Sequence, residues 1–151
     1  MGWATCTHGH LHWGRRGAAG LLLARAGGVL LQLRAGWAHQ GGTWSIPGGA
    51  RERGESAVEA ALREAHEELG VDRSVVDVRG SYLAECGGWQ YETVLAVPAV
   101  AEVAVRDVAE SAGHAWVAAA DVDALPLHPA FAAAWADPDG DLRDFVELSA
   151  G

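Results

Sequence analysis

The clearest periodic stretch in the chain lies between Ser56 and Gly70. Val58, Leu62, Ala65 and Leu69 recur at helical spacing and form one apolar stripe, with charged residues over the rest of the surface. Ser56 followed three residues later by Glu59 reads as a capping box, and Gly70 as a left-handed C-cap. A helix is therefore expected over residues 56–69. Upstream, the apolar runs "AAGLLLAR" and "VLLQLR" flank a glycine turn and predict a β-hairpin. Downstream, "VVDVRGSYLAEC" and "WQYETVLAVPAV" read as two longer strands and "HAWVAA" as a short one. "HPAFAAAWA" reads as a second helix, with Pro129 suited to its first turn. Residues 35–54, with "WSIPGG" at their centre, read as a loop with a short strand, and the tail from Asp137 as turn-like. Hairpins mixed with crossovers imply an α/β fold, a sandwich around a mixed sheet. We divide the chain into a polar arm or first strand (1–16), a main domain (17–137) and a C-terminal tail (138–151).

Composition narrows the chemistry. The 151 residues carry a formal net charge of −9, which argues against long nucleic acid as a partner. A small phosphorylated ligand is compatible with that charge when a divalent metal reverses the local field. The sequence contains no lysine, which excludes Schiff-base chemistry and a P-loop lysine. The most apolar stretch, "GAAGLLLARAGGVLLQL", is interrupted by Arg25 and the Gly27–Gly28 pair, so no membrane span or signal peptide is expected. The two cysteines, Cys6 and Cys86, make no disulfide framework, and a cytoplasmic location is expected. Cys6, His8, His10 and His12 lack a CxxC pair and a fourth well-placed ligand. They read as a polar first strand bordering a pocket rather than a zinc site.

The 56–69 helix also gathers charge. With Glu64 at zero on the helical wheel, Glu67 and Glu68 fall about 60° to one side and about 40° to the other, and the apolar stripe lies roughly 100–160° away. No cation stands on that arc, and a surface network of Arg63 with Glu59 and Glu67 is the ordinary alternative. Clustered carboxylates repel unless they share a cation, and a hard divalent ion prefers such oxygen ligands together with substrate phosphates.

The segment from Gly49 to Val71, "GARERGESAVEAALREAHEELGV", resembles the Nudix box at every fixed position: Gly49, Glu55, Arg63, Glu64, Glu67, Glu68 and Gly70. The resemblance implies a Nudix fold, an α/β/α sandwich, and Mg²⁺-dependent hydrolysis of a nucleoside diphosphate linked to another group, with Mn²⁺ able to substitute. It implies Glu67 and Glu68 as the main metal ligands, with the Gly48 carbonyl as a further one. It implies Glu64 as the group that orients or deprotonates water or shares a metal, and Glu55 and Arg63 as braces. The resemblance to MutT-type members, which draw a further glutamate from a loop before a strand tryptophan, nominates Glu110, six residues before Trp116, as a fourth metal-site carboxylate, with Asp107 as its competitor. Outside the box, Trp37, Trp89 and Tyr91 are candidate base-stacking residues, and Arg34 and Arg51 candidate phosphate contacts. His39 is a candidate mobile acid or base. The favoured substrate is a nucleoside triphosphate, an oxidised purine nucleotide among them, cleaved to monophosphate and pyrophosphate. ADP-ribose or a nucleotide sugar is the alternative, and a non-catalytic nucleotide sensor is the alternative of another class. The expected partner is a small nucleotide, and a homodimer is compatible with the family.

Overall fold

The computed structural model describes residues 3–5, 11–13, 16–36, 41–107 and 111–150. Strands β1 (Trp3–Thr5) and β2 (Leu11–Trp13) form a small antiparallel pair. The expected hairpin follows as β3 (Ala18–Arg25) and β4 (Gly28–Arg34), turning through Ala26 and Gly27, both at positive φ. Next come β5 (Trp44–Ser45), β6 (Gly48–Ala50) and helix α1 (Ala57–Leu69). A short 3₁₀ turn, Arg73–Val75, leads into β7 (Val76–Cys86) and β8 (Trp89–Pro98). Strand β9 (Ser111–Ala118), a second 3₁₀ segment (Ala119–Ala124), α2 (Pro129–Ala136) and α3 (Leu142–Leu148) complete the order.

The hairpin arms stay paired only beside their turn, at Ala24–Val29 and Arg25–Gly28. Beyond it they part. β3 runs parallel to β8 and antiparallel to β6, while β4 pairs antiparallel with β5 and β9. β7 lies outside β8, giving the order β5-β4-β3-β8-β7 with β6 and β9 attached to β3 and β4.

Alternation along β3 divides the core. Ala19, Leu21 and Leu23 pack with Leu30, Val94 and Ala96 against the small-residue face of α1: Ala57, Ala60, Ala61 and Ala65. Leu22 and Ala24 face the other way with Val29, Leu31, Ile46 and Leu95, and meet Phe131, Trp135, Leu142 and Val146. Helices thus cover both faces of a mixed sheet, and the α/β/α sandwich is the observed architecture. The tail is more ordered than its turn-like composition suggests. Leu142 and Val146, four residues apart on α3, are both buried in the core, and that burial selects a helix where polar residues dominate the local sequence. No described helix is long and apolar enough to cross a membrane.

Candidate active site

Helix α1 is fixed at both ends as its sequence requires. Ser56 Oγ accepts from the Glu59 amide while the Glu59 carboxylate accepts from the Ser56 amide, and Gly70 adopts φ 67° to close the C-terminus. Between these caps, burial of the alanine-rich stripe fixes the rotation of the helix and so the direction of its glutamates.

The arc expected to lack a cation contains one. Arg63 is embedded among the carboxylates, and Glu59 is occupied in the capping box instead of pairing with it. The guanidinium forms a fork on Glu55, with Nε 2.8 Å from Oε2 and Nη2 3.0 Å from Oε1. Nη2 also donates to the Ala50 carbonyl at 3.0 Å, and Nη1 donates to Glu64 Oε1 at 3.0 Å and Glu67 Oε2 at 3.2 Å. Glu55, whose hydrogen bonds to Arg63 hold its carboxyl below the usual range, also accepts from the Glu52 amide. Arg63 therefore ties the loop before α1 to the helix.

The three box glutamates differ in environment. Glu67 is 55% exposed and turned toward Arg63, whereas Glu64 is 16% exposed. Glu68 points inward, accepting from Gln32 Nε2 at 3.0 Å and from the Gly48 amide at 2.8 Å. Burial pushes its carboxyl up to about 8 against the opposing effect of those two donors. Burial also raises Glu64, and Arg63 opposes that shift. Opposite them, Gly48 leaves no room for a side chain: a Cβ there would fall 2.7 Å from the Ala19 carbonyl oxygen, 2.7 Å from Gly20 Cα and 2.7 Å from the Tyr91 hydroxyl. A Cβ at Gly49 would fall 2.7 Å from Glu64 Oε1, the end of a side chain that would have to move.

The remaining candidates are dispersed. Tyr91 lies on β8 with its hydroxyl against Gly20 and Gly48, near enough to Glu68 and Glu64 for their charges to add to the upward shift that burial causes. Trp89 is its neighbour, ring centroids 6.4 Å apart at 44°. Arg34, at the end of β4, contributes favourable charge to Glu68 and Tyr91. Arg51 is turned to the Glu55 carbonyl, with Nη2 at 2.9 Å. Asp107 pairs with His114. Trp37, His39, Cys6, His8, His10 and Glu110 lie outside the described residues, as does the side chain of His12. Gln32 was not anticipated, although a single polar residue interrupting "VLLQLR" is a signal of a buried hydrogen-bonding role.

The family model of the NUDIX domain matches residues 14–137. The chain belongs to the Nudix family. A Mycobacterium tuberculosis protein named "Putative 8-oxo-dGTP diphosphatase 3" is 46% identical over 145 residues, an alignment covering 89% of this chain and 66% of that protein. A Bifidobacterium longum nucleoside triphosphate pyrophosphatase/Nudix hydrolase fusion protein is 47% identical over 102 residues, covering 63% of this chain and 21% of the fusion. The chain thus spans less than two thirds of the length of these relatives. Among solved structures, a Nudix hydrolase from M. smegmatis, RenU, superposes with a TM-score of 0.83 at 46% identity, covering 89% of each chain. A C. elegans Ap4A hydrolase, at 22% identity and a TM-score of 0.68 over 89% of this chain and 98% of its own, shares the fold.

Nudix proteins generally use a divalent metal. Among the described residues, no three histidine, cysteine, aspartate or glutamate side chains are gathered around one point at metal-holding distance. The donor chemistry nonetheless suits a hard cation. Glu64 and Glu68 are two partly buried carboxylates raised by desolvation, beside the Gly48–Gly49 backbone, and all their donor atoms are oxygen.

Proposed function

We propose that this Nudix domain hydrolyses nucleoside triphosphates to the monophosphate and pyrophosphate, with Mg²⁺ as cofactor, Mn²⁺ as a substitute, and oxidised purine nucleotides of the cytoplasmic pool as preferred substrates. The observation that carries the reading is the pair of partly buried carboxylates, Glu64 and Glu68, held on one face of α1 against the Gly48–Gly49 backbone. The choice of substrate is supported by the M. tuberculosis relative, whose name specifies 8-oxo-dGTP.

Glu67, Glu68 and the Gly48 carbonyl would hold the cation, with Glu64 and Glu110 available to complete its shell. When bound, the ion neutralises the diphosphate and polarises its phosphoryl oxygens. Arg63 keeps the loop and helix in fixed relation through Glu55 and Ala50. Arg34 and Arg51 would contact phosphate oxygens, and Trp89, Tyr91 and Trp37 would stack on the base.

A panel of nucleoside triphosphates, their oxidised purine forms, ADP-ribose and nucleotide sugars, assayed with Mg²⁺ for pyrophosphate and phosphate release, tests this. Pyrophosphate release from triphosphates is expected, along with its loss in a Glu67→Gln, Glu68→Gln double variant. Cleavage confined to ADP-ribose would overturn the substrate class. Tight binding of one member without turnover of any would make the domain a sensor.

A further inference from the structure

Strand β9 carries a histidine outside the Nudix box. His114 stands directly opposite Gln32 in the antiparallel β4–β9 pairing. Two residues along, the opposed pair Leu30 and Trp116 packs toward α1. Period-two alternation puts Gln32 and His114 on that same face. Opposed side chains in such a pair start about 4.5–5.5 Å apart at Cβ, and Gln32 itself donates to Glu68 at 3.0 Å. The imidazole is thus next to the residue that holds a partly buried site carboxylate.

Its orientation is also set. Nδ1 lies 2.8 Å from Asp107 Oδ1. A carboxylate accepts only, so in the neutral imidazole Nδ1 carries the proton and Nε2 the lone pair. The ring is 30% exposed, so water can reach it. The α1 carboxylates are engaged otherwise: Glu64 and Glu67 accept from Arg63, and Glu68 from Gln32 and Gly48.

Resting on the pyrophosphohydrolase reading above, we propose that His114, oriented by Asp107, is the general base of this site. Nε2 takes a proton from the attacking water as the water oxygen bonds to phosphorus. The bridging P–O bond breaks, its electron pair leaves on the oxygen of the departing phosphate group, and the imidazolium then returns its proton to solvent. Asp107 is a positioning residue that stabilises the imidazolium and fixes the tautomer.

The test compares wild type, His114→Ala and Asp107→Asn with Mg²⁺ and the best triphosphate of the panel. A positioned base contributes about 10²–10⁴-fold. His114→Ala should therefore lower kcat by about 100-fold or more, with KM changed by less than about threefold. Added imidazole should restore part of that loss, which a purely structural defect would not allow. Asp107→Asn should lower kcat while nucleotide affinity is kept. Long-range ¹H–¹⁵N spectra of the nucleotide-free protein should show the Nδ1–H tautomer of His114. Wild-type turnover with undiminished kcat in His114→Ala, or an Nε2–H tautomer, overturns the proposal and leaves the family function standing. Absence of turnover in wild type across the panel removes both.

Discussion

The Tyr91 hydroxyl occupies the space that a side chain at Gly20 would need. A Cβ on Gly20 would overlap that oxygen, and would also lie 2.9 Å from Ile46 Cδ1 and 3.0 Å from the Pro47 carbonyl. Glycine inside a strand normally weakens it, so its presence in "AAGLLL" reflects this close approach. Gly20→Ala should cost about 1–3 kcal/mol by overpacking. Tyr91→Phe, by removing the oxygen, should recover part of that loss when the two changes are combined. Urea midpoints for the double-mutant cycle measure it. Additive effects with no coupling would mean that the hydroxyl does not restrict residue 20.

Tyr82 is a second hydroxyl with a defined partner, donating to the Asp137 carboxylate at the end of α2. That bond, with burial behind it, pushes the phenol up to about 12, and it lowers Asp137. The ordinary phenol value is 10.0. The neutral phenol is favoured by folding, so its contribution is complete below pH 10 and is lost as pH rises through about 12. The Asp137 contribution is complete above its ordinary 3.8 and is lost as pH falls through the lowered value. In a Tyr91→Phe background Tyr82 is the remaining tyrosine. Its ultraviolet phenolate signal should be small at pH 10 in the folded protein and near half-maximal after unfolding. A half-titrated folded protein at pH 10 would rule out the Tyr82–Asp137 bond in solution.

The box and both caps of α1 were legible because their information is local. The spacing from Gly49 to Gly70 places every group on one continuous strand, loop and helix. The hairpin and the long strands were legible from apolar runs bounded by turns. Long-range relationships were hidden. Gln32 and His114 are separated by most of the chain, and only the β4–β9 register makes them neighbours. Arg63 starts off the acidic arc on a helical wheel, which marks only where a side chain begins, and its long guanidinium reaches back across to Glu64 and Glu67. The tail helix was obscured by its polar residues, since Leu142 and Val146 become informative only once a core exists to receive them.

Arg63 makes a two-pronged bond to Glu55 and further bonds to Ala50, Glu64 and Glu67, with its side chain 23% exposed. Lysine would keep the charge and lose the planar fork. Arg63→Lys should lower stability by about 1–3 kcal/mol, an estimate discounted from buried pairs because Arg63 and Glu67 retain solvent contact. The denaturation midpoint measures this. A wild-type midpoint would show that charge alone suffices and that the fork does not brace the loop.

Cation binding should stabilise the fold, because Glu64 and Glu68 are desolvated whether or not an ion is bound, and an ion offsets that cost only in the folded state. At 100 times the dissociation constant the gain is about 2.7 kcal/mol, which for a chain of this size is roughly 5–10 °C in melting temperature. Mg²⁺ should produce that rise in the wild type, and a chelator should reverse it. Glu68→Gln is the discriminating variant. Its amide keeps one oxygen for Gln32 or Gly48 and turns an NH₂ group on the other donor, so its melting temperature will differ for reasons unrelated to metal. The informative quantity is therefore the Mg²⁺-induced shift within each protein. That shift should shrink to a small fraction of the wild-type value in Glu68→Gln and persist in Tyr82→Phe, which lies away from the site. Equal shifts in wild type and Glu68→Gln would remove Glu68 from the ligand set.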